Sequence, residues 1–312
     1  MAQTALIAVG GNSLIRAGEK GTITEQLANT RRTAQAIVQI IRLGFHVVVT
    51  HGNGPQVGAA LLRSERAADQ VYTHPLDVCD APTQGEIGYM LQQSLHGELG
   101  RAGLTTPVVT VLTQVVVSAT DPAMAHPTKP IGPFYSAREA DQKRQQLGWT
   151  IVEDAARGFR RVVPSPEPLD IIEEGVIRRL VDTGVLVVAV GGGGIPVVRD
   201  GRALCGVEAV IDKDRASALL AARLRCAVFI ISTDADRVYL NFKKPGQRPL
   251  GRVTAAEVEQ HYRDGQFPPG NMGPKIESAL RFLRDGGSEV IITSYERLLD
   301  AVRGEAGTHI VR

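Results

Sequence analysis

Three short glycine-bearing turns are the part of this sequence best suited to chemistry. Each follows an apolar run with the composition of a buried strand, and they are AVGGN (8–12), THGNGPQ (50–56) and AVGGGG (189–194). Glycine has no Cβ and adopts positive φ readily, so such turns bring backbone N–H groups within hydrogen-bond distance of an oxyanion. One such turn alone fits a simple tight turn equally well. Three of them predict a shared phosphate cradle.

Three lysines could supply the positive charge that a phosphate cradle needs. Each stands beside a turn signal: Lys129 in HPTKPIG, Lys213 in VIDKDRAS and Lys275 in GNMGPKIESA. Phosphoryl transfer concentrates negative charge on the transferred group, and enzymes meet it with Lys, Arg or a metal ion. Lys213 and Lys275 also fit solvated lysines at the start of a helix. Asp214 fits either an acid favoured by the helix dipole or a group that orients the lysines.

Other common site motifs are missing from the sequence. The fingerprint G-x-G-x-x-G fails because Ile195 and Pro196 stand where its helix should begin, and neither G-x-x-x-x-G-K-[ST] nor G-x-S-x-G occurs. The histidines are scattered without i,i+4 partners, which predicts no histidine metal site. These observations argue against Rossmann dehydrogenases, Walker NTPases and serine hydrolases. His51, beside glycines at a strand end, is interpreted as a structural donor rather than a base.

Short β-branched runs alternating with helical stretches must position these residues. The runs are nearly all apolar, as in strands buried on both faces, and they cover 4–9, 45–50, 107–112, 185–190, 227–232 and 289–294. Helices are predicted at 25–43, with Thr24 as N-cap, and at 83–103, 172–184, 214–224 and 275–286. Such alternation implies right-handed βαβ units. The predicted fold class is α/β, a three-layer αβα sandwich with a mostly parallel central sheet.

One proline-dense segment interrupts this alternation. Residues 118–168 contain 7 of the 17 prolines, which predicts irregular backbone. A helix is predicted within the segment at 137–147, followed by two short strands, WTIVED and FRRVVP. We predict a small inserted lid subdomain at 118–168 within one domain that spans residues 1–312. A hairpin is predicted over 195–212, with its turn at Asp200 and Gly201.

The composition excludes several classes of protein. The 312 residues have a formal net charge of +2 and only 4% are aromatic, so there is neither a basic field nor an aromatic platform for nucleic acid. The three cysteines have spacings that match no disulfide framework and no metal knuckle. The least charged stretch, 184–198, is too short and too rich in glycine to span a bilayer. We therefore expect a cytoplasmic enzyme with no nucleic-acid partner and no membrane partner.

Together, the motifs resemble those of carbamate kinases of the amino acid kinase family. They occur in the family's order along almost the whole chain, as AVGGNSL, HGNGPQVG, PTKPIGPFY, GFRRVVPSP, AVGGGGIPVV, VIDKD, DRVYLNFKKP and NMGPKIESA. The resemblance implies an αβα sandwich, a homodimer, and reversible phosphoryl transfer between ATP and carbamate to give ADP and carbamoyl phosphate. It also implies Mg²⁺ held mainly through nucleotide phosphates, without a protein metal site, and operation toward ATP synthesis in arginine catabolism.

The resemblance further implies roles for individual residues. Lys129 would reach the carbamoyl or transferred phosphoryl group from the lid. Lys213 and Lys275 would bracket the phosphates from the nucleotide side, oriented by Asp214. The groups that hold the carbamate and the moving phosphoryl would be Gly10, Gly11, Asn12, Gly52, Asn53, Gly192 and Gly193. The adenine and ribose site would be lined by Thr233, Val238, Tyr239 and Met272. Carbamate is itself an oxyanion nucleophile, so no strong general base is required.

Two departures from the family's pattern bear on the acceptor and the phosphates. Asp80 and Glu86 lie in and after a run where we expect small residues and a methionine before QG-x-IGY. These acids are interpreted as surface variation, the alternative being an altered acceptor. Asn271 stands where we expect a serine before MGPK.

Two other functions stay open at this point. The first is a kinase for another small carboxylic acid, against which the proline-rich lid argues. The second is a non-catalytic nucleotide-binding paralogue, against which the three lysines and Asp214 argue, since a binder does not need a lysine at the transferred group.

Overall fold

A computed structural model gives the fold of residues 3–16, 18–153, 158–268 and 272–312, except for the side chain of Asn12. Its strands, in chain order, are β1 (Thr4–Val9), β2 (His46–His51), β3 (Val108–Thr110), β4 (Gln114–Val116), β5 (Lys129–Tyr135), β6 (Ile151–Glu153), β7 (Phe159–Val163), β8 (Asp170–Ile171), β9 (Leu186–Val188), β10 (Ile195–Asp200), β11 (Ala203–Gly206), β12 (Val228–Thr233), β13 (Tyr239–Leu240), β14 (Arg248–Pro249), β15 (Arg252–Thr254), β16 (Glu289–Ser294) and β17 (Thr308–Val311). Its α-helices are α1 (Ile23–Arg42), α2 (Gly54–Arg66), α3 (Leu76–Arg101), α4 (Pro122–Ala125), α5 (Ala137–Leu147), α6 (Glu174–Asp182), α7 (Lys213–Arg223), α8 (Ala255–Arg263), α9 (Met272–Arg284) and α10 (Leu298–Val302). No helix among these residues is long and apolar enough to cross a membrane.

Eight strands form the central sheet, in the order β15-β17-β16-β12-β1-β2-β9-β3. The strand β1 lies inside the sheet and pairs in parallel with β2 and β12. The strands β16, β9 and β3 continue the parallel arrangement. Only β17 with its parallel partner β15 is reversed, because β17 pairs antiparallel with β16. The sheet is therefore mostly parallel, as the sequence predicts.

Helices cover both faces of this sheet because successive residues of each strand are apolar. In β1, Leu6 and Ala8 belong to the core shared with α6, α7, α8 and α9. Ile7 and Val9 belong to the core on the opposite face, shared with α1, α3 and α10. Full burial of one large aliphatic side chain contributes about 1.5–3 kcal/mol, so both helical layers are firmly attached. The predicted three-layer αβα sandwich is confirmed.

Two predicted helix starts are wrong. The N-cap of α1 is Thr22 rather than Thr24, because Thr22 and Glu25 form a reciprocal capping box. The helix α3 begins seven residues before the predicted start at 83 and continues through Pro82. Its first turn is held by tertiary packing, since Leu76 and Cys79 form a core cluster with residues of α2 and β5. This packing overrides the local tendency of proline to end a helix.

Residues 118–168, the predicted lid, have a small core of their own. The strands β5, β7 and β6 form an antiparallel sheet, and α5 lies where a helix is predicted. Tyr135, Ala140 and Ile151 pack together beneath this helix. The last residue of the first predicted strand, 154, and most of the link after it, 155–157, lie outside the described residues. We call this unit the lid segment.

The lid segment contacts the sandwich very closely at one point. A Cβ added to Gly58 of α2 would lie 2.3 Å from Cα of Gly132 in β5. Backbone therefore meets backbone at this junction, which only glycine permits.

A second sheet, in the order β11-β10-β4-β8, connects the lid segment to the sandwich. It contains the predicted hairpin, in which β10 and β11 pair antiparallel around Asp200 and Gly201. It also contains β4, a three-residue strand that the sequence analysis did not predict.

Candidate active site

The three glycine turns follow three neighbouring strands, β1, β2 and β9, at their carboxyl ends. The first two turns nearly touch, since a Cβ on Gly52 would lie 3.3 Å from the backbone nitrogen of Gly11. The first turn also has no room for a side chain at Gly10, where a Cβ would lie 2.8 Å from the carbonyl oxygen of Ser232. Carboxyl ends of adjacent parallel strands are the usual ligand site in open α/β sheets. The three turns predicted to form a phosphate cradle therefore lie side by side at the carboxyl ends of the strands.

The third turn is held in an unusual backbone conformation. Val190 precedes it with φ 51°, a left-handed value that a β-branched residue rarely adopts. Gly192 and Gly193 also have positive φ, 69° and 101°. A Cβ on Gly192 would collide with the side chain of Asn53, and one on Gly193 would lie 2.4 Å from the carbonyl oxygen of Ile211. Only glycine can bring the backbone this close to both neighbours.

A cavity of about 770 Å³ opens above these turns, and the three predicted lysines all line it. Other predicted residues in its lining are Gly11, Gly52, Asn53, Gly192 and Asp214. Gly10 and Gly193 instead lie behind the lining, as the close contacts of their backbones require. Asn12 lies in the 3-10 turn Gly11–Ser13 that follows β1, and its side chain is outside the described part of the structure.

Two of the lysines share one buried carboxylate. Lys275 Nζ donates to Asp214 Oδ2 at 2.8 Å, and Lys213 Nζ lies 2.7 Å from Asp214 Oδ1. An ammonium group has three N–H donors, so each lysine can contact a further acceptor in the cavity besides Asp214. The Asp214 side chain is only 5% exposed, and the two lysine side chains are 12% and 14% exposed. Asp214 contacts both lysines. This fits the interpretation that it orients them, rather than the interpretation that it is only an acid favoured by the helix dipole.

Burial and charge act in opposite directions on these groups. Burial would raise the pKa of Asp214, but the two ammonium groups outweigh it and hold that pKa far below its ordinary value. Burial lowers the pKa of Lys213, with Asp214 opposing and Lys275 adding to the decrease. Burial would also lower the pKa of Lys275, but Asp214 outweighs it and raises that pKa. At neutral pH the group consists of one carboxylate facing two lysines.

The third lysine reaches the cavity from the lid segment. Lys129, the first residue of β5, donates to Asp212 Oδ2 at 2.7 Å. Asp212 also caps α7, because its Oδ1 accepts from the backbone N–H groups of Asp214 and Arg215. The sequence analysis missed Asp212, although an aspartate directly before a helix is a recognisable N-cap signal. One aspartate thus connects the lid lysine to the helix that carries Lys213.

Other residues missed from the sequence hold the third turn in place. Gln84 of α3 donates through Nε2 to the carbonyl oxygens of Thr113 and Gly191, each at 3.0 Å, and accepts from Thr113 N–H at 2.8 Å. His51 packs against Gly191. Burial lowers the pKa of His51 to about 4, a bond to the Gly52 carbonyl opposes this, and the Lys213 charge adds to it. His51 is therefore neutral at pH 7, in keeping with a structural role.

A second cavity of about 510 Å³ lies beside the start of α9. Tyr239 and Met272, two of the residues predicted for the nucleotide site, line this cavity together with Phe242 and Gln266. Val238 does not line it, because its side chain is fully buried in the core. Thr233, 6% exposed at the end of β12, is not in its lining either and donates to Asp234 next to it. The two cavities border the same helix, since Lys275 lines the first and Met272 the second.

The departures noted in the sequence have different outcomes. Asp80 is 2% exposed and contacts the side chain of Asn53, so its interpretation as surface variation is wrong. The physical reason is the early start of α3, which places Asp80 beneath the cradle rather than in a loop. Glu86 is half-buried on the same helix. Asn271 lies outside the described residues.

No group of three or more His, Cys, Asp or Glu that could hold a metal ion occurs in the described ranges. Among the described residues, the cationic side chains that line the cavity are the three lysines and Arg160, and their chemistry suits an oxyanion such as a phosphate.

Comparisons with known proteins agree with this geometry. Residues 3–294 match the family model described as "Amino acid kinase family". The chain is 48% identical to "Carbamate kinase" of Thermococcus kodakarensis, over 98% of each chain. It is 45% identical to "Carbamate kinase-like protein YahI" of Escherichia coli, over 100% of each chain. Among solved structures, "Carbamate kinase from Giardia lamblia bound to AMP-PNP" is 43% identical and superposes with a TM-score of 0.93, over 99% of this chain and 98% of the other.

Proposed function

The chain belongs to the amino acid kinase family, and we propose that it is a carbamate kinase, which transfers a phosphoryl group reversibly between ATP and carbamate. One observation carries the proposal: Lys129, Lys213 and Lys275 converge on a single cavity whose floor is made of glycine turns. Full-length similarity to proteins named carbamate kinase supports the same activity.

The lysines neutralise the charge of the group that moves. In the direction of ATP synthesis, the bond between phosphorus and the carbamoyl oxygen breaks, and a bond to a terminal oxygen of ADP forms. Lys213 and Lys275 would hold the nucleotide phosphates, and Lys129 would contact the phosphoryl group from the carbamoyl side. Each lysine at about 4 Å contributes on the order of 4 kcal/mol at an effective dielectric constant of 20. Pre-arranged charge of this kind is the main catalytic term in phosphoryl transfer.

No general base is needed for this chemistry. Carbamate leaves as an anion in one direction and attacks as an anion in the other, so no proton is transferred. The neutral and buried His51 is consistent with such a mechanism. Substrate position would instead be set by backbone N–H groups of the turns that contain Gly11 and Gly52.

The nucleotide would occupy the second cavity, next to Tyr239 and Met272. Its phosphates would then extend along the start of α9 to Lys275 and Lys213. The AMP-PNP complex of the Giardia protein supports nucleotide binding by this fold. Mg²⁺ would be held mainly through nucleotide phosphates and water, and it would supply positive charge that offsets the charge of the phosphates.

We propose that the enzyme works toward ATP formation, as in arginine catabolism. Carbamoyl phosphate is a mixed anhydride of a carboxylic and a phosphoric acid, so transfer of its phosphoryl group to ADP is downhill. A cytoplasmic location would suit the nucleotide substrates. Cys79, Cys205 and Cys226 are all free thiols, which also fits a reducing compartment.

A homodimer is proposed through the edge of the central sheet at β3. Tyr89 and Leu112 flank this edge and are 62% and 51% exposed, beside a groove that Gln92 and His96 also line. Strand edges with exposed apolar side chains are usually covered by association. Sedimentation should therefore give twice the chain mass of 33.4 kDa, and Leu112→Lys should shift it toward the single chain. A parent protein that sediments as one chain would contradict this.

One alternative function has a specific observation in its favour. One relative, 45% identical over the full length, is named only as carbamate kinase-like. A kinase for another small carboxylic acid therefore stays as the second candidate.

The test is ATP formation from carbamoyl phosphate and ADP with Mg²⁺. The parent protein should form ATP rapidly, and Lys213→Ala should lower the rate by about 10³-fold because a buried phosphate contact is lost. The exposed Lys20 is a matched control, and Lys20→Ala should keep the parental rate. If the parent protein forms ATP no faster than carbamoyl phosphate decays unaided, the carbamate kinase proposal fails. ATP formation from another acyl phosphate alone would support the second candidate.

A further inference from the structure

Three buried side chains, joined by hydrogen bonds, lie at the wall of the cavity where carbamate would bind. Asn53 follows β2, precedes α2 and lines the cavity. Its side chain contacts Asp80 and Thr83 of α3, and all three residues are 2% exposed. Their arrangement fixes the orientation of one amide.

The direction of the Asn53 amide follows from Thr83. The Thr83 hydroxyl donates to the Asp80 carbonyl oxygen at 2.6 Å, so its oxygen is left to accept from Asn53 Nδ2 at 2.7 Å. The second N–H of Asn53 Nδ2 faces Asp80 Oδ1. Both donors of the amide are thereby used inside the protein. The amide oxygen, Oδ1, is the polar atom left for a ligand.

That oxygen lies over the third glycine turn. A Cβ on Gly192 would be 2.3 Å from Asn53 Nδ2 and 2.7 Å from Asn53 Oδ1, so the Gly192 backbone packs against one face of the amide, which only glycine permits. Within the described residues, no protein group donates a hydrogen bond to Asn53 Oδ1. The cavity therefore presents an acceptor among lysines and backbone donors.

An acceptor at this place would distinguish between acyl groups. Carbamate and carbamoyl phosphate carry an NH₂ group that can donate to it, whereas acetate and acetyl phosphate carry a methyl group of similar size that cannot. The Asp80 carboxylate would strengthen the effect, because a charged partner on Nδ2 polarises the amide and makes Oδ1 a better acceptor. Sites built to hydrogen-bond a substrate N–H discriminate against analogues that lack it, since the buried acceptor is then left unpaired.

We infer that Asp80 and Thr83 are positioning residues that hold Asn53 Oδ1 toward the substrate amino group and so make the site prefer carbamoyl to acetyl groups. This inference rests on the proposed carbamate kinase function. In this arrangement the Asn53 side chain would meet the substrate as a hydrogen-bond acceptor.

The environment of Asp80 supports a purpose beyond folding. Burial raises the pKa of Asp80 to about 7, the bond from Asn53 opposes this, and the Asp77 charge on the same helix adds to it. A carboxylate in such a place destabilises the folded protein relative to a neutral side chain. Residues that lower stability are concentrated at functional sites.

The experiment compares kcat/KM for carbamoyl phosphate and acetyl phosphate, with ADP as the common second substrate. The parent enzyme should prefer carbamoyl phosphate by at least about 100-fold. Thr83→Val and Asp80→Ala should each lower kcat/KM for carbamoyl phosphate about tenfold, the effect of one hydrogen bond, and change it less than about twofold for acetyl phosphate. Asp80→Asn keeps an acceptor for Asn53 and should retain a large part of the preference. Glu86→Gln, on the same helix, is the matched control and should keep the parental ratio.

The outcomes separate this inference from the proposed function. Equal losses with both substrates in Thr83→Val and Asp80→Ala would assign these residues a merely structural role and overturn the inference. A parent enzyme that uses both acyl phosphates equally would overturn it while leaving a kinase. A parent enzyme inactive with carbamoyl phosphate would refute the proposed function itself. ADP binding and the Tm of each variant show whether it is folded, and since Thr83→Val is nearly isosteric it decides the question if Asp80→Ala does not fold.

Discussion

We call the glycine turns together with the starts of α7 and α9 the floor of the cavity. This floor and the lid segment hold their lysines in different ways. On the floor, Lys213 and Lys275 share Asp214, and all three side chains are at most 14% exposed. On the lid segment, Lys129 is 33% exposed and pairs with Asp212, which is itself 16% exposed. The floor rests on two extensive cores, whereas the lid segment has a core of three buried residues.

The lysines on the floor are therefore fixed in position, whereas the lysine on the lid segment can change its partner. Buried ion pairs exist in one arrangement, because displacement of either partner leaves an unpaired charge in a medium of low polarity. The more exposed Lys129 side chain lies closer to solvent, so it can exchange Asp212 for a phosphate more readily than the buried lysines can leave Asp214. We expect the floor to be ready before substrates bind and the lid segment to adapt to them.

The largest effect should come from the shared carboxylate of the floor. Asp214→Asn leaves two buried lysines facing each other without a counter-charge, which should lower kcat for ATP formation by about 10³-fold. It should also lower the Tm, because a buried pair that loses one partner destabilises the fold. Steady-state kinetics and thermal unfolding measure the two effects. A kcat within tenfold of the parent would show that the floor does not depend on Asp214.

On the lid side, Lys129→Ala should lower kcat by about 10²-fold with the affinity for ADP unchanged. The reason is that, under the proposed function, Lys129 would contact the transferred group, whereas Lys213 and Lys275 would hold the nucleotide. Calorimetry with ADP and steady-state kinetics separate the two quantities. A large loss of ADP affinity would place Lys129 on the nucleotide side and remove the contrast between floor and lid segment.

A smaller effect is expected where floor and lid segment meet. In Gly58→Ala the new methyl group would lie 2.3 Å from Cα of Gly132, so β5 must move away from α2. We expect kcat/KM for carbamoyl phosphate to fall about tenfold, because Lys129 begins the displaced strand, and KM for ADP to stay constant. Gly100→Ala is the control, since Gly100 lies in α3 with nothing within 4 Å of the added Cβ. Parental kinetics in Gly58→Ala would mean that the lid segment is not held by this junction.

The smallest effect is the pH dependence of stability that Asp80 causes beneath the floor. The pKa of Asp80 is raised to about 7, so the folded protein binds a proton more tightly than the unfolded chain, and stability falls as pH rises from about 4 to 7. Asp80→Asn removes this dependence. The Tm advantage of Asp80→Asn over the parent should therefore be about 5 °C larger at pH 8 than at pH 4. An equal Tm difference at both pH values would mean that Asp80 is ionised without penalty.

Much of the floor could be predicted from local sequence. Each glycine turn follows an apolar run, and the topology of parallel sheets brings the ends of neighbouring strands together. Lys213 and Lys275 could be selected from the sequence because each stands beside a turn signal at the start of a predicted helix. The strands of the central sheet could also be predicted, because strands buried on both faces are continuous apolar runs.

The connections between distant elements could not be predicted. Three contacts join residues that lie far apart in the sequence. They are the hydrogen bond from Lys129 to Asp212, the hydrogen bond from Gln84 to Gly191, and the contact of Asp80 with Asn53. Local patterns carry no information about which helix packs beneath which turn. In the case of Asp80, the proline at 82 was misleading, because tertiary packing of Leu76 starts α3 earlier than the local signal indicates.

The interior place of β1 has a consequence for synthesis on the ribosome. Residues of β1 pair with residues of β12 more than 200 positions later, as Ala5 does with Val228. At about 5–20 residues per second, one side of β1 waits on the order of 10–45 s for its partner strand to emerge. Lys275 emerges later still, so the phosphate cradle is among the last features that a nascent chain completes. An exposed apolar strand during that interval is a natural site for chaperone binding.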